Sequence, residues 1–347
     1  MGLCGTLLAI GLLVLALQTG GTTVAAQAGG FPPFISMPGV SARGVAVDKT
    51  GDVYVSVEEI RSDVRYIQVR KLTPAGEQVF AIDVGRGTIG GLTVTANGDV
   101  YIALAAGADR GVYRMGREGQ LELLADSNRI FFANGLAFDD VGNLWVTESV
   151  SMGPSGPGQG GIWRIPPQGL PELCLRDALL TGTGELRQPV PIGANGIVYY
   201  HGDLFVTNTE KGTVLRIPVS PDGGVGVPEV WTTLEEVPES PLAGVLPFGP
   251  MGDGIALDVY GNLYVAVLTR SAIVRLDLFD KSQQTIAAFR VPNTLPLSAS
   301  LDFPASLVFG SGMGERTELF VTNMGNGGWV GPSLVKIPTG VPGRPIH

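Results

Sequence analysis

The chain has 347 residues and a formal net charge of −9, with 23 Lys and Arg against 32 Asp and Glu and no run of basic residues. Nucleic acids and anionic membrane surfaces bind clustered Lys and Arg, so neither is an expected partner. The 51 glycines, 25 prolines and 44% hydrophobic content suit many short strands and tight turns rather than a disordered chain.

The first 28 residues are typical of a secretory signal peptide. Residues 7–17 form an apolar stretch, which is shorter than the roughly 20 residues that span a bilayer. Ala26, Gln27 and Ala28 then offer an A-x-A cleavage site. No Lys or Arg precedes the apolar stretch, so an uncleaved anchor remains an alternative. We therefore expect a secreted or periplasmic protein, with a folded domain over residues 29–347 and no further contact with a membrane.

One sequence pattern recurs six times along the chain. Each copy has an apolar run, a turn of Gly, Asp or Asn, and a second apolar and aromatic run, which is typical of a β-hairpin. The copies lie at residues 46–55, 93–102, 137–146, 198–206, 256–265 and 308–321. A period of about 40–60 residues indicates a propeller or a solenoid, because one hairpin alone cannot bury its apolar faces.

Each hairpin is followed by a second pair of strands. An apolar run with one basic residue marks it, as in residues 112–115 (VYRM) and 162–165 (IWRI). Six units of four strands predict an all-β fold, a six-bladed β-propeller with four-stranded antiparallel blades. The last unit ends soon after its third strand, so we expect the mature N-terminal segment, residues 31–37, to complete that blade and close the ring.

Long loops rich in Gly and Pro fall on the face where the innermost strands begin. They are residues 151–160, 181–192, 240–251 and 291–303. Loops gathered on one face of a rigid scaffold commonly form a binding site, and we expect these four to wall a pocket. Glu148 and Glu210 follow strands of the inner hairpins, and we expect both carboxylates at the surface near this face.

The innermost strands begin with a short motif in which a polar residue precedes glycine. Asn134, Asn195 and Asp253 occupy this position, and Arg43 occupies it in the first unit. Because innermost strands line the channel of a propeller, these side chains are expected to converge near its axis. Amide and carboxylate oxygens are ligands for Ca²⁺, which takes roughly 6–8 of them. The alternative is that these Asn-Gly and Asp-Gly pairs only form turns. The hairpin turns lie further downstream, which favours metal ligands.

At this point the chain resembles the regucalcin/gluconolactonase group of six-bladed propellers. The resemblance rests on the repeated hairpins, the two Ala-Asn-Gly motifs at 133–135 and 194–196, the Gly-Asp-Gly motif at 252–254, and the closing segment 320–340. It covers roughly residues 40–340. The repeat framework is specific to the fold. The resemblance implies a small-molecule substrate or ligand, and we expect a monomer.

The resemblance also implies a calcium site. Enzymes of this group hold a catalytic Ca²⁺ through a Glu, two Asn and an Asp; Asn134, Asn195 and Asp253 match three of these ligands. Arg43 stands in the Glu position, and its permanent positive charge repels a bound cation. Phe132 stands where the sugar-lactonase members carry a substrate-binding Arg.

The histidine content restricts the possible mechanisms. The chain has only His201, in a hairpin turn on the opposite face, and His347, the last residue, so histidine-based triads and zinc sites are excluded. Metal-assisted hydrolysis remains, with Asp253 as the base toward water or as the nucleophile. If Arg43 displaces the metal, it can stabilise an oxyanion or hold a substrate carboxylate.

Three functions follow from these residues. The first is an exported, calcium-dependent hydrolase of a lactone or related ester, with Asn134, Asn195 and Asp253 as ligands. The second is a non-catalytic exported propeller that binds a small ligand or a protein, with Arg43 in place of the metal-ligand Glu. The third is a metal-free enzyme of the strictosidine-synthase type, ranked lowest because no Glu begins an innermost strand.

Overall fold

The fold is taken from a computed structural model that describes residues 31–240, 242–289, 301–312, 314–328 and 330–345. The predicted signal peptide and most of the loop at 291–303 lie outside the described residues. The described chain forms six four-stranded antiparallel sheets, which confirms the predicted six-bladed β-propeller. Neither of its two short 3-10 helices, Ala178–Leu180 and Leu268–Arg270, is long and apolar enough to cross a membrane.

The strands follow one another in the order that the repeats predict, and each of the first five blades is assembled from strands that are neighbours in sequence. The strands are β1 (Pro33–Ser36), β2 (Val40–Val47), β3 (Val53–Arg61), β4 (Val64–Leu72), β5 (Gln78–Arg86), β6 (Thr88–Val94), β7 (Val100–Ala106), β8 (Gly111–Met115), β9 (Leu121–Asp126), β10 (Ala133–Phe138), β11 (Leu144–Glu148), β12 (Met152–Gly153), β13 (Gly156–Pro157), β14 (Gly160–Ile165), β15 (Glu172–Asp177), β16 (Ala194–Tyr200), β17 (Asp203–Asn208), β18 (Thr213–Pro218), β19 (Glu229–Thr233), β20 (Gly252–Leu257), β21 (Leu263–Val267), β22 (Ala272–Leu276), β23 (Gln283–Ala288), β24 (Pro304–Phe309), β25 (Glu318–Asn323) and β26 (Ser333–Pro338).

Blades 1 to 5 begin with the inner strands β2, β6, β10, β16 and β20. Blade 6 has the order β1-β26-β25-β24, so its outer strand comes from the N-terminal end of the described chain. β1 pairs antiparallel with β26, and Lys336 places its Nζ 3.8 Å from the ring centre of Phe34 and 4.8 Å from that of Phe320. The predicted closing strand is confirmed, and no blade edge is left open at the junction.

In blades 1, 3 and 5, an aspartate after the inner strand holds the hairpin turn together. Asp48, at the end of the first inner strand, accepts the backbone N–H of Asp52 at 3.1 Å and the hydroxyl of Tyr54 at 3.2 Å. Asp139 and Asp258 make the equivalent bonds in blades 3 and 5. One carboxylate thus satisfies the donors of the turn and anchors the aromatic residue of the second strand.

The Asn-Gly and Asp-Gly motifs form β-bulges rather than turns. In blade 3, Ala133 lies opposite Glu148 and Leu136 opposite Val146, so two residues of β10 oppose Thr147 alone. Every inner strand pair shows such a register shift near its start. A bulge leaves one residue outside the ladder and turns its side chain in a new direction, which is common beside active sites.

The glycine after each polar residue lets neighbouring inner strands touch. A Cβ atom at position 135 would lie 2.2 Å from the backbone oxygen of Asn195, and one at position 196 would lie 2.5 Å from that of Asp253. Real Cβ atoms do not approach backbone so closely, so Gly135 and Gly196 are required by the blade-to-blade contact.

This contact predicts the effect of adding one methyl group. Gly196→Ala should lower the free energy of unfolding by about 1–3 kcal/mol or more, because the strand must move away from blade 5. Gly249→Ala is the matched control, since a Cβ there meets nothing within 4 Å. Urea unfolding measures both variants; equal stabilities would contradict the close approach.

Candidate functional site

A cavity of about 870 Å³ runs along the channel and is lined by the inner strands of all six blades. We call the end where the inner strands begin the upper rim, and the opposite end the lower end. Arg43, Asn134, Asn195 and Asp253 all line the cavity at the upper rim. The structure thus brings together the four side chains that the sequence motif singles out.

Both asparagines are held in one orientation by a hydroxyl group. The Nδ2 atom of Asn134 donates to Oγ of Ser149 at 3.0 Å, and this hydroxyl donates to the backbone oxygen of Ala194 at 2.6 Å. Since the hydroxyl hydrogen is already used, Oγ can only accept from Asn134, which points the amide nitrogen toward it; within the described chain no donor binds the amide oxygen. Asn195 is held in the same way by Thr209, at 2.9 Å.

A second set of hydroxyls fixes the backbone of the site residues. Each comes from the second strand of one blade and donates to the backbone oxygen of the polar residue in the next blade. The pairs are Thr147 with Asn195 at 2.6 Å, Thr207 with Asp253 at 2.7 Å, and Thr322 with Arg43. Arg43, Asn195 and Asp253 are therefore each positioned by their own blade and by the preceding one.

Arg43 lines the cavity and is held by blades 1 and 6. Its Nη2 lies 3.4 Å from Oε2 of the buried Glu58, and its Nη1 lies 2.7 Å from Sδ of Met324. Glu58 also accepts the backbone N–H of Ile89 at 3.1 Å. Glu58 and Ser149 occupy the same position in their blades. In blade 1, Ala42 lies opposite Val57, and Glu58 is the next residue. In blade 3, Ala133 lies opposite Glu148, and Ser149 is the next residue. The same register position thus supplies the partner of the site residue in both blades.

Asp253 has an unusual carboxyl group. Burial raises its pKa to about 7, because the charged form loses its hydration; the positive charge of Arg43 and a hydrogen bond from Asn195 lower the pKa only in part. Leu268 stands at the register position that Thr209 occupies in blade 4, and it offers no hydroxyl to the carboxylate. Asp253 therefore carries its proton about half of the time near pH 7.

These residues do not make a complete calcium site. Asp253 supplies one carboxylate and the two asparagines supply neutral oxygens, while Ca²⁺ takes roughly 6–8 oxygens. The charge of Arg43 cancels that of Asp253, so the four rim residues offer no net negative charge. Within the described residues, no group of three or more His, Cys, Asp or Glu side chains comes together as a metal site.

Glu148 and Glu210 are both buried, so the expected surface placement is wrong. Glu148 accepts the backbone N–H of Phe131 at 2.7 Å and pairs with Arg176 at 2.7 Å. Glu210 accepts the backbone N–H of Leu186 at 3.3 Å. The carboxylates turn inward because donors from upper-face segments meet them there, and they hold those segments in place.

Only part of the expected loop wall lines the cavity. The loop at 181–192 contributes Leu186, Val190 and Ile192, and Phe303 contributes from the end of the fourth loop. The loops at 151–160 and 240–251 do not line it in the described part of the chain. His201 is exposed in the turn between β16 and β17, away from the upper rim.

The C-terminal segment occupies the lower end of the channel. Arg344 donates from Nη1 to the backbone oxygen of Tyr199 and from Nη2 to Asp140, both at 2.9 Å. Its guanidinium carbon lies 5.2 Å from the ring centre of Tyr200. Arg344 and Pro345 both line the cavity at this end, so a ligand would enter from the upper rim.

Sequence reasoning missed several residues of the upper rim. Glu58 was detectable from the repeat. At the second strands of blades 1, 3, 4 and 6 the sequence reads VSVE, VTES, VTNT and VTNM, and the last residue of each tetrapeptide is the one that contacts a site residue. Arg65 and Arg110 also line the cavity. Arg65 lies near the start of β4 and Arg110 in the β7–β8 connection, and the hairpin repeat gives no signal for either.

A comparison with models of protein families identifies the family of this chain. The model of the SMP-30/gluconolactonase/LRE-like region matches residues 48–324, most of the chain. The chain belongs to this family. The resemblance inferred from the sequence motifs is thereby confirmed, although no curated protein sequence matches.

Solved structures of this family share the fold. A luciferin-regenerating enzyme matches with a TM-score of 0.63 and 16% identity, over 92% of this chain and 96% of its own. A gluconolactonase from Xanthomonas campestris matches with a TM-score of 0.57 and 16% identity, over 92% and 93%. A calcium-binding regucalcin from Agrobacterium tumefaciens matches with a TM-score of 0.58 and 17% identity, over 91% and 95%. At these identities the likeness establishes the propeller and not the reaction.

The raised pKa of Asp253 predicts a pH dependence of stability. The folded state holds the proton of Asp253 up to about pH 7, whereas an unfolded Asp loses it near 3.8. Between these values the folded state binds this proton and the unfolded state does not, so the contribution of Asp253 to stability should fall as pH rises from about 4 to 7. Relative to Asp253→Asn, the loss should reach at most about 4 kcal/mol, at about 1.4 kcal/mol per pKa unit.

Urea unfolding across this pH range measures the difference between the two proteins. Asp222→Asn is the control, because Asp222 lies in an exposed turn and its pKa is lowered by the hydroxyl of Ser220. If the difference in the free energy of unfolding between wild type and Asp253→Asn does not change with pH, the raised pKa of Asp253 is contradicted.

Proposed function

We propose that this protein hydrolyses a small lactone or related ester at the upper rim, with Asp253 as general base and Arg43 in place of a metal ion. The observation that carries the proposal is a carboxyl group with a pKa of about 7 in the same cavity as a guanidinium. A base is most effective when its pKa lies near the working pH. The family supports this class of reaction, since one neighbour of the same fold is a gluconolactonase.

The reaction needs only groups at the rim. The carboxylate of Asp253 takes a proton from a water molecule, whose oxygen attacks the carbonyl carbon. The amide oxygens of Asn134 and Asn195 are free to orient that water as acceptors. Arg43 stabilises the negative charge that develops on the carbonyl oxygen. When the intermediate collapses, the bond to the leaving oxygen breaks and Asp253 returns its proton to that oxygen, which yields an acid and an alcohol.

A second candidate is a non-catalytic propeller that binds a small ligand. The pairing of Arg43 with Glu58 favours it, because a guanidinium already engaged by a carboxylate is a weaker oxyanion partner. The calcium-dependent version of the hydrolase has support from the calcium-binding regucalcin neighbour. The charge of Arg43 argues against that version for this chain.

Turnover of a panel of lactones and aryl esters tests the proposal. We expect kcat/KM of the wild type to rise with pH around a midpoint of about 7 and to be unaffected by a chelator. Asp253→Asn should lower kcat/KM by about a hundredfold or more, as loss of a general base does. Arg43→Gln should lower it by about 10²–10³, as loss of an oxyanion donor does.

Asp222→Asn and Arg117→Gln serve as controls, because both residues are exposed and lie outside the cavity. Turnover that survives Asp253→Asn would contradict the role of this carboxylate. Ligand binding without turnover on any substrate would favour the second candidate, and activity that a chelator abolishes and Ca²⁺ restores would favour the metal-dependent version.

A further inference from the structure

The upper rim is strongly positive on one side. Arg43, Arg65 and Arg110 all line the cavity, and among the described residues Glu58 is the carboxylate that pairs with Arg43 and Arg65. Nη2 of Arg43 and Nη1 of Arg65 each lie 3.4 Å from the same oxygen of Glu58. Arg43 and Arg65 therefore share one buried carboxylate and Arg110 lines the same cavity, within a chain whose net charge is −9. A local excess of positive charge in a cleft of an acidic protein attracts anions selectively.

Arg110 is the least satisfied of the three. Its guanidinium carbon lies 4.7 Å from the ring centre of Phe131, and among the described residues no carboxylate pairs with it. Its Nε is buried and has no hydrogen-bond partner in the described chain, and the same holds for Nε of Arg43. Buried donors without acceptors are costly, and an anionic ligand would supply the acceptors that the protein does not.

Much of the cavity lining is apolar, although Gln188, Thr209 and Asn326 also line it. Phe131, Phe132, Leu186, Val190 and Phe303 line the same cavity. Phe132 in particular has no side-chain group that could hydrogen-bond to a hydroxyl of a sugar. A ligand that matches this lining has an apolar body rather than a row of hydroxyl groups.

Arg110 and Asp253 belong to blades on opposite sides of the channel. Arg43 and Arg65 belong to blade 1 and Arg110 to the β7–β8 connection of blade 2, whereas Asp253 belongs to blade 5. In a six-bladed ring, blades 2 and 5 face each other across the channel. A carboxylate bound by Arg110 would thus lie on the far side of the mouth from Asp253 and the carbonyl that is hydrolysed there. It is a group distinct from the acid that hydrolysis releases.

We infer that the ligand of the upper rim is a small organic carboxylate with an apolar body, held at its carboxylate by Arg110 and Arg65. The inference rests on the proposal that the upper rim is the ligand site, and it names the class of lactone or ester that would be hydrolysed there. Arginine suits this task, because its planar fork matches a carboxylate and it stays charged at any physiological pH.

Binding of a matched pair of probes tests the inference without any turnover. Isothermal titration calorimetry compares 4-phenylbutanoate with 4-phenylbutanamide, which has the same apolar body and no charge. We expect the carboxylate to bind at least about tenfold more tightly, in line with the worth of a charge-assisted hydrogen bond. Arg110→Gln should abolish this preference while binding of the amide stays the same. Arg117→Gln, an exposed arginine outside the cavity, is the control.

Each outcome bears on the inference. Equal affinity for the two probes, binding of neither, or a preference that persists in Arg110→Gln would overturn it; thermal unfolding of the variants confirms that they are folded. Carboxylate-selective binding without hydrolysis of any ester upholds the inference while the proposed reaction fails. Hydrolysis of uncharged lactones with no carboxylate preference upholds the reaction and overturns the inference.

Discussion

The close approach of neighbouring inner strands at the upper rim is the constraint on which the site depends. Glycine is needed after each polar residue, because a Cβ atom at Gly135 or Gly196 would collide with the backbone of the next blade. The bulge at the same point frees one side chain from the ladder and directs it toward the channel. Hydroxyls from one blade then bind the carbonyl of the next, as Thr207 does with Asp253. Fold and site are thus built from the same short motif.

The charge of Arg43 sets the chemistry that this motif can support. At the position where the family resemblance implies a Glu ligand, this chain places a permanent cation, held by Glu58 and Met324. In the proposed reaction this cation takes over part of the electrostatic role of a metal ion, since it lowers the pKa of Asp253 and would stabilise an oxyanion. Burial still dominates, so the carboxyl titrates near neutral pH instead of staying ionised.

Local repetition made much of the molecule predictable from its sequence. The six hairpins, the closing strand at residues 31–37 and the convergence of the four rim residues all follow from patterns within about ten residues. The burial of Glu148 did not follow, because its partner Arg176 lies 28 residues away on another strand. Arg110 and Arg344 reach the channel through segments with no counterpart in other blades, so no pattern marks them.

The central claim is that Arg43 takes the place of a metal ion at the upper rim, and a calorimetric Ca²⁺ titration of the metal-stripped protein tests it most directly. The account predicts no one-to-one Ca²⁺ binding that depends on Asp253, so wild type and Asp253→Asn should give the same heats. Arg43→Glu should gain binding, because it adds a carboxylate and removes the repelling charge. One-to-one binding by the wild type that Asp253→Asn abolishes would contradict the account.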